Sequence, residues 1–458
     1  MSDTAELKSQ DQPLVPQFRE LLERGDSARL VELIHSRSIS DALRGFLRLD
    51  PGERDQVLAL LPAEVAAELI DEAPNETAGD LVERLAAVKA ADIIEELDSD
   101  VKADVIGELE VSDAEAILAE MDVRDAAAVR RLVAYEDETA GGLMIAEAFK
   151  FGERDTVADV LRRVVSDEDD FERYRGQHPY IVDAHGCPVG VVSLRSLLTS
   201  RRSATLRDIM VEPLTVPVST PLAELEDLFE MHPFLGLPVV ESNGQLVGVV
   251  SRTAVADAAR EHVESDALKL QGVVGDELRS MPVLLRSRRR LAWLSTNIFL
   301  NILAATVIAS YEETLAAVIA IAFFLPMVSD MSGCSGNQAV AVTMRELSLG
   351  LVRPIDMLRV WAKEISVGAI NGVVLGILIG IVAWFWMDSP ALGLVIGIAL
   401  AINTMVAVSI GGVVPLLVKR FGQDPAAASG PLLTTITDIA GFFLVLSIAT
   451  LMMPALVI

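Results

Sequence analysis

Residues 424–441 read D-P-A-A-A-S-G-P-L-L-T-T-I-T-D-I-A-G and run directly into an apolar segment, 442–458. Asp438 therefore stands inside a stretch that otherwise reads as a membrane span. An ionisable group at bilayer depth costs about 3 kcal/mol or more, so it normally faces a pore, a partner or an ion. Ser429, Thr434, Thr435 and Thr437 add oxygen atoms nearby. Gly430 and Pro431 are expected to open the backbone just before them, where freed carbonyls would line a cavity. Surroundings made of oxygen alone suit a hard cation such as magnesium or calcium. The competing reading is a helix–helix contact held by small residues and threonines.

Working back from that stretch, four more apolar segments precede it, at 291–310, 315–344, 365–387 and 391–418, with the last span placed at 431–458. Each can cross about 30 Å of hydrocarbon at about 1.5 Å per residue. The second carries F-F-L-P-M-V-S-D-M-S-G-C-S-G-N-Q-A at 323–339 and is expected to be broken by its polar and small residues. Gly333 and Gly336 allow close helix approach or unwinding, and Asn337 and Gln338 are polar at membrane depth. Basic residues fix the orientation. Arg286, Arg288, Arg289 and Arg290, then Arg345, Arg353, Arg359 and Lys363, then Lys419 and Arg420, all fall on one side, while 311–313 and 388–390 hold none. The expectation is a multi-pass protein of the cell membrane, N-terminus cytoplasmic and C-terminus outside.

Charge is just as unevenly spread. The chain has 458 residues and a net charge of −28, with 66 acidic and 38 basic side chains. From Leu291 onward there are six basic and nine acidic residues, so the first 290 carry about −25. That surface suits cations and excludes nucleic acid as a partner. Residues 1–18 are polar and lack an apolar signal core. Cys187 and Cys334 fall in a soluble and a membrane segment, so no disulfide framework is implied. None of the five histidines forms the H-E-x-x-H pattern of an intramembrane zinc protease, and the chain is not read as an enzyme.

The soluble part divides in two. Residues 1–20 read as ill-ordered. Apolar pairs then recur every 12 residues: Val57-Leu58, Leu69-Ile70, Leu81-Val82, Ile93-Ile94, Val105-Ile106 and Ile117-Leu118, with Val129 continuing the first position. Twelve residues make a short helix and a tight connection, and such helices bury an apolar face only by stacking into a solenoid. Glu68, Asp80, Asp92 and Asp104 directly precede their pairs, either as a solvated edge or as cation sensors.

After 135–144, Y-E-D-E-T-A-G-G-L-M, strand-like runs appear at 180–182 and 189–192, and again at 237–240 and 246–250. V-G-V-V-S occurs at 189–193 and 247–251, an offset of 58. Helical stretches follow at 194–200 and 253–263. This tandem βαββα pattern resembles a pair of CBS motifs, modules that often bind adenine nucleotides. Nucleotide-binding members often place an Asp three residues after the Ser or Thr that closes the second strand. Ser196 and Ala254 stand there, so ATP is expected to bind weakly or not at all.

Taken together, 135–144, 326–338 and 424–441 resemble the MgtE family of magnesium channels. The resemblance covers most of the chain in the same order. It implies a multi-domain membrane protein: an α-helical solenoid N-domain (21–133), an α/β tandem CBS domain (134–263), a connecting helix (264–290) and an all-α transmembrane domain of five helices (291–458), assembled as a homodimer in the lipid membrane. It implies that Asp438, one from each subunit, holds a hydrated Mg2+ at the dimer axis. Thr434 would lend a backbone oxygen, Asp424 would lie at the cytosolic mouth, and Gly430, Pro431, Thr435 and Asn337 would line the pore. Asp92 and, on the connecting helix, Asp266 would belong to regulatory divalent cation sites. Asp330, Ser332 and Cys334 depart from the family's glycine-rich run, and His262 and Ser265 replace acidic positions. Cys334 reads as a small packing residue. Transport of another divalent cation such as Co2+ or Mn2+, or a non-transporting cation sensor, remain the alternatives.

Overall fold

The computed structural model describes residues 14–166, 174, 178–273, 277–279 and 281–456. It separates into two compact units. One holds the chain up to Val263 with 278–280, and the other holds Glu264–Glu277 and Met281–Ile458.

In the first unit the 12-residue repeat is a stack of short helices. Those starting at Ala63, Asn75, Ala87, Ser99, Val111 and Val123 each open 12 residues after the one before, and the register extends back through helices at Ser27, Ile39 and Pro51. Every residue of the apolar pairs from Val57 to Leu118 is buried. Proline or aspartate opens several of the helices, where a missing N–H or a side-chain acceptor suits the free amides of the first turn. The expectation of an ill-ordered stretch through residue 20 fails from Leu14 onward, and residues 1–13 lie outside the described residues. Leu14–Arg24 is a helix whose Phe18 is fully buried. It seats on Gly45, where a Cβ would come within 2.7 Å of Leu14. Arg19 locks it down through Glu53 at 2.7 Å.

Among its described residues the α/β part has seven strands: β1 (Met144–Ile145), β2 (Lys150–Gly152), β3 (Tyr180–Val182), β4 (Pro188–Val191), β5 (Val216–Pro217), β6 (Gly236–Val240) and β7 (Leu246–Ser251). They form two sheets, ordered β2-β3-β4 and β1-β7-β6-β5. β2 runs parallel to β3, and β5 parallel to β6, while β3–β4 and β6–β7 are antiparallel hairpins. The offset of 58 thus relates two like modules. The glycine of each V-G-V-V-S run has a steric role. A Cβ on Gly190 would meet Met210 Sδ at 2.3 Å, and one on Gly248 would meet Met144 Sδ at 2.5 Å. Ala103 and Leu132 of the helical repeat share a core with Met144, Val216, Phe229 and Val250 of the second module.

One helix over 264–290 is not what forms. The helix that begins at Arg252 ends at Lys269. Gly272, at φ +74, carries the chain out of it, and the Val273 N–H returns to the Leu268 carbonyl at 3.1 Å. A new helix starts after Pro282, so Arg286 to Arg290 lie in the first turns of a span.

Among the described residues, five helices are long and apolar enough to cross a membrane: Val283–Ser310, Ile319–Ser348, Pro354–Met387, Pro390–Arg420 and Pro425–Leu451. The second is irregular only at its start, where a short 3-10 turn, Ile319–Phe323, precedes Pro326. It then runs unbroken through the polar segment, so Gly333 and Gly336 serve approach and not unwinding. A Cβ on Gly336 would lie 3.0 Å from the Ala407 carbonyl. The third and fourth spans touch backbone to backbone. Cβ atoms on Gly376 and Gly393 would meet the carbonyls of Gly397 and Gly380, each at 2.5 Å. Small residues allow this contact, and dispersion then holds the helices where no hydrophobic drive exists.

Candidate functional site

Asp424 stands just before the last span, as its N-cap. Its Oδ1 accepts from the N–H of Ala426 at 2.8 Å, a cap for amides that have no partner within the helix. Its Oδ2 lies 3.1 Å from the Lys269 ammonium, at the end of the connecting helix. Burial pushes this carboxyl up, but Lys269 and the capping amides outweigh it and hold the group below the usual carboxylate range.

The backbone expected to open at Gly430 and Pro431 stays helical. Hydroxyls explain why, each donating to a carbonyl of its own helix: Ser429 to Pro425 at 2.6 Å, Thr434 to Gly430 at 3.0 Å, Thr435 to Pro431 at 2.8 Å and Thr437 to Thr434 at 2.9 Å. A helix that lacks the Pro431 N–H is tolerated in hydrocarbon when side chains occupy its carbonyls.

Asn337, Gly430, Pro431 and Thr434 come together in one cavity of about 290 Å³, joined by Trp293 and Asn297 of the first span and by Leu270 and Gln271. Asp438 lies one turn beyond Thr434, half-buried. Ser329 of the second span donates a hydrogen bond to Asp438 Oδ1. On the fourth span the fully buried Asn403 donates from Nδ2 to the Thr437 carbonyl at 3.2 Å. No Lys or Arg occurs between Arg290 and Arg345, or after Arg420. Cys334 is exposed, and so does not pack inside the chain as expected. It lies two positions from both Ser332 and Gly336, which face inward, so the helical turn points its thiol outward.

In the first unit Asp92 is exposed on Ala87–Glu96. The repeat carboxylate that is driven inward is Asp104. Burial, and then the charges of Asp100, Asp137 and Glu261, raise its pKa to about 7, against a hydrogen bond from Asn75 Nδ2 at 3.2 Å. His262 Nδ1 meets Glu138 Oε1 at 2.5 Å. Ser196 bonds Ser193 through its hydroxyl at 2.9 Å, and the Ala254 N–H donates to Ser251 Oγ at 3.0 Å. Asp266, in the second unit, is half-buried on the connecting helix. Among the described residues no three His, Cys, Asp or Glu side chains stand close enough to hold a metal ion.

Sequence reasoning missed Ser329, Asn403 and Lys269. Asn403 carried a signal, as an amide alone in an otherwise apolar run. Ser329 and Lys269 carried none, because their meaning lies in partners more than 100 residues away.

Three family descriptions match the chain: the MgtE divalent cation transporter at 325–448, the MgtE intracellular N domain at 34–138 and the CBS domain at 206–261. The chain is 31% identical over 325 residues to the magnesium transporter MgtE of Enterococcus faecalis, covering 71% of each. It is 33% identical over 329 residues to the magnesium transporter MgtE of Thermus thermophilus, covering 71% of this chain and 72% of that one. A solved cytosolic domain of the Mg2+ channel MgtE in complex with ATP is 30% identical and covers 53% of this chain and 98% of that one, at a TM-score of 0.48. With its helical repeat, CBS modules and five apolar helices in this order, the chain belongs to the MgtE family.

Proposed function

We propose that two copies of this chain form a pore that carries magnesium across the cell membrane, with Asp438 of each copy holding the ion. The observation that carries this reading is Asp438 itself, a half-buried carboxylate in a span where the sequence supplies no basic residue to neutralise it. A cation in transit is the remaining source of countercharge. Magnesium sheds water reluctantly, and a single carboxylate per chain suits an ion kept largely hydrated. Thr434, Gly430, Pro431 and Asn337 line the approach, Thr435 and Asp424 flank it, and the N-terminus lies in the cytoplasm. The first span has only 6% of its apolar window buried within one chain, which leaves that surface for lipid and a second copy. Closure is favoured by divalent cations on the acidic soluble part, with Asp92 and Asp266 as candidate ligands, and Asp104, its pKa raised first by burial, lies among the charges of Asp100, Asp137 and Glu261. ATP is not assigned a role, since Ser196 and Ala254 offer no carboxylate to a ribose.

The test is magnesium uptake by liposomes holding the purified protein. Asp438→Ala should abolish it, a loss of 100-fold or more, while the dimer stays assembled. Near-normal uptake would remove the ion from Asp438. The exposed Cys334, a soft ligand on the same helix as Asn337, favours a second reading with Co2+ as cargo. Uptake of Co2+ in preference to Mg2+ would establish it.

A further inference from the structure

We propose that Ser329 and Asn403 are positioning residues that set how Asp438 meets its ion. The inference rests on the reading of Asp438 as the ion-holding carboxylate and goes beyond it to what holds that carboxylate.

Two helices grip the last span at one level. From the second span, Ser329 donates its hydroxyl to Asp438 Oδ1. From the fourth, Asn403 donates its amide to the carbonyl of Thr437, the residue just before Asp438, at 3.2 Å. Asn403 and Thr437 are both fully buried. The fit around them is tight. A Cβ on Gly441, one turn past Thr437, would come within 2.7 Å of Asn403 Nδ2 and 3.7 Å of Val328. Glycine there admits the amide. Gly333, one turn past Ser329, stands where a Cβ would lie 4.0 Å from Thr437 Oγ1, so no bulk separates the second and last spans.

The chemistry follows from the inventory of groups. An ionised carboxylate only accepts hydrogen bonds. With Oδ1 committed to Ser329, the plane of the group is set and Oδ2 remains for a water of the hydrated ion. The Thr437 carbonyl lies inside the helix Pro425–Leu451, and Asn403 gives it a further donor from another span. Asn403 fixes it and with it the backbone that aims Asp438. Such outer-shell donors commonly change metal affinity by about 10–100-fold when removed. Discrimination should move too, because a loosened carboxylate can turn to bind an ion directly, which favours cations that shed water more readily than magnesium.

The experiment uses full-length protein in liposomes, with uptake followed over a magnesium titration and in the presence of competing Ca2+ or Co2+. Ser329→Ala should raise the half-saturating magnesium concentration about tenfold and weaken selectivity against the competitors. Ser329→Thr, which keeps the hydroxyl, should restore both. Asn403→Leu, which keeps the branched shape and number of heavy atoms but cannot donate, should shift the same two quantities in the same direction. A purely structural role would lower maximal uptake in step with the amount of folded dimer and leave half-saturation and selectivity unchanged; that result in Ser329→Ala overturns the proposal. Asp438→Ala is run alongside. If it abolishes uptake while Ser329→Ala behaves as wild type, only the positioning role fails. If it transports normally, the underlying reading fails and the proposal with it.

Discussion

Asp104 illustrates how one side chain can change meaning between sequence and structure. Along the chain it is one of four equivalent repeat carboxylates, yet folding buries it beside Asp100, Asp137 and Glu261 and raises its pKa to about 7. In the unfolded chain the ordinary value is 3.8. Between these values the folded state holds a proton that the unfolded state has released. Stability therefore falls as pH climbs from about 4 to 7, and the whole cost is present above 7. Asp104→Asn, which can still accept from Asn75, should raise the melting midpoint at pH 8 by about 2–4 °C, matching a gain on the order of 1 kcal/mol. At pH 4 the variant and the parent should melt together. A variant that melts lower at pH 8 would show that the charged form is favoured there. Ser329 is the opposite case, one serine among many until the second span brings it to Asp438.

At the scale of elements, period and length were legible in advance, and boundaries were not. The 12-residue repeat predicts the helices because each unit has one apolar pair to bury and one turn in which to reverse. The repeat also runs further toward the N-terminus, through Leu33-Ile34 and Gly45-Phe46, than its strongest pairs suggest. Glycine and proline misled in both directions. Gly430 and Pro431 do not break their helix, whereas Gly272 and Pro282 do divide what reads as one. The difference is supply of partners, since Ser429, Thr434 and Thr435 engage carbonyls around Pro431 while Gly272 sits in a left-handed turn. The contact between the third and fourth spans makes the sharpest demand on side-chain size. Gly376→Val would drive a methyl group into the Gly397 carbonyl, 2.5 Å from where its Cβ must stand. The helices must separate, and the yield of folded dimer in detergent should fall at least several-fold. A normal yield would mean that this contact is dispensable.

At the scale of the whole molecule the governing quantity is charge. The 290 residues before the spans carry about −25 per chain, which the proposed dimer would double. Acidic surfaces brought together repel, and divalent cations bound between them relieve the repulsion. Moving a gate from 1:99 to 99:1 takes about 5.5 kcal/mol of differential binding, which a few shared sites can supply. With His262 and Ser265 where the resemblance leads one to expect acidic residues, the proposed response should be present and shifted to higher magnesium. Limited proteolysis across a magnesium titration reads this directly. Cleavage between residues 130 and 290 should fall as magnesium rises, and an unchanged pattern would reduce the acidic surface to a solubility device.

Periodicity and composition were enough to read off the repeat, the paired modules, five membrane helices and the placement of Asp438 among them. These are local or additive properties: an apolar run either spans hydrocarbon or does not, and a repeat either buries its pairs or fails to fold. Which oxygen Asp438 keeps free, which amide holds Thr437 and which of four like carboxylates resists ionisation are properties of distance between helices far apart in the chain. Asn403 and Thr437 are separated by 34 residues and Ser329 and Asp438 by 109, the second separation far beyond the length of any one helix. Packing alone brings them within hydrogen-bonding reach, so their roles emerge only once the helices have closed on one another.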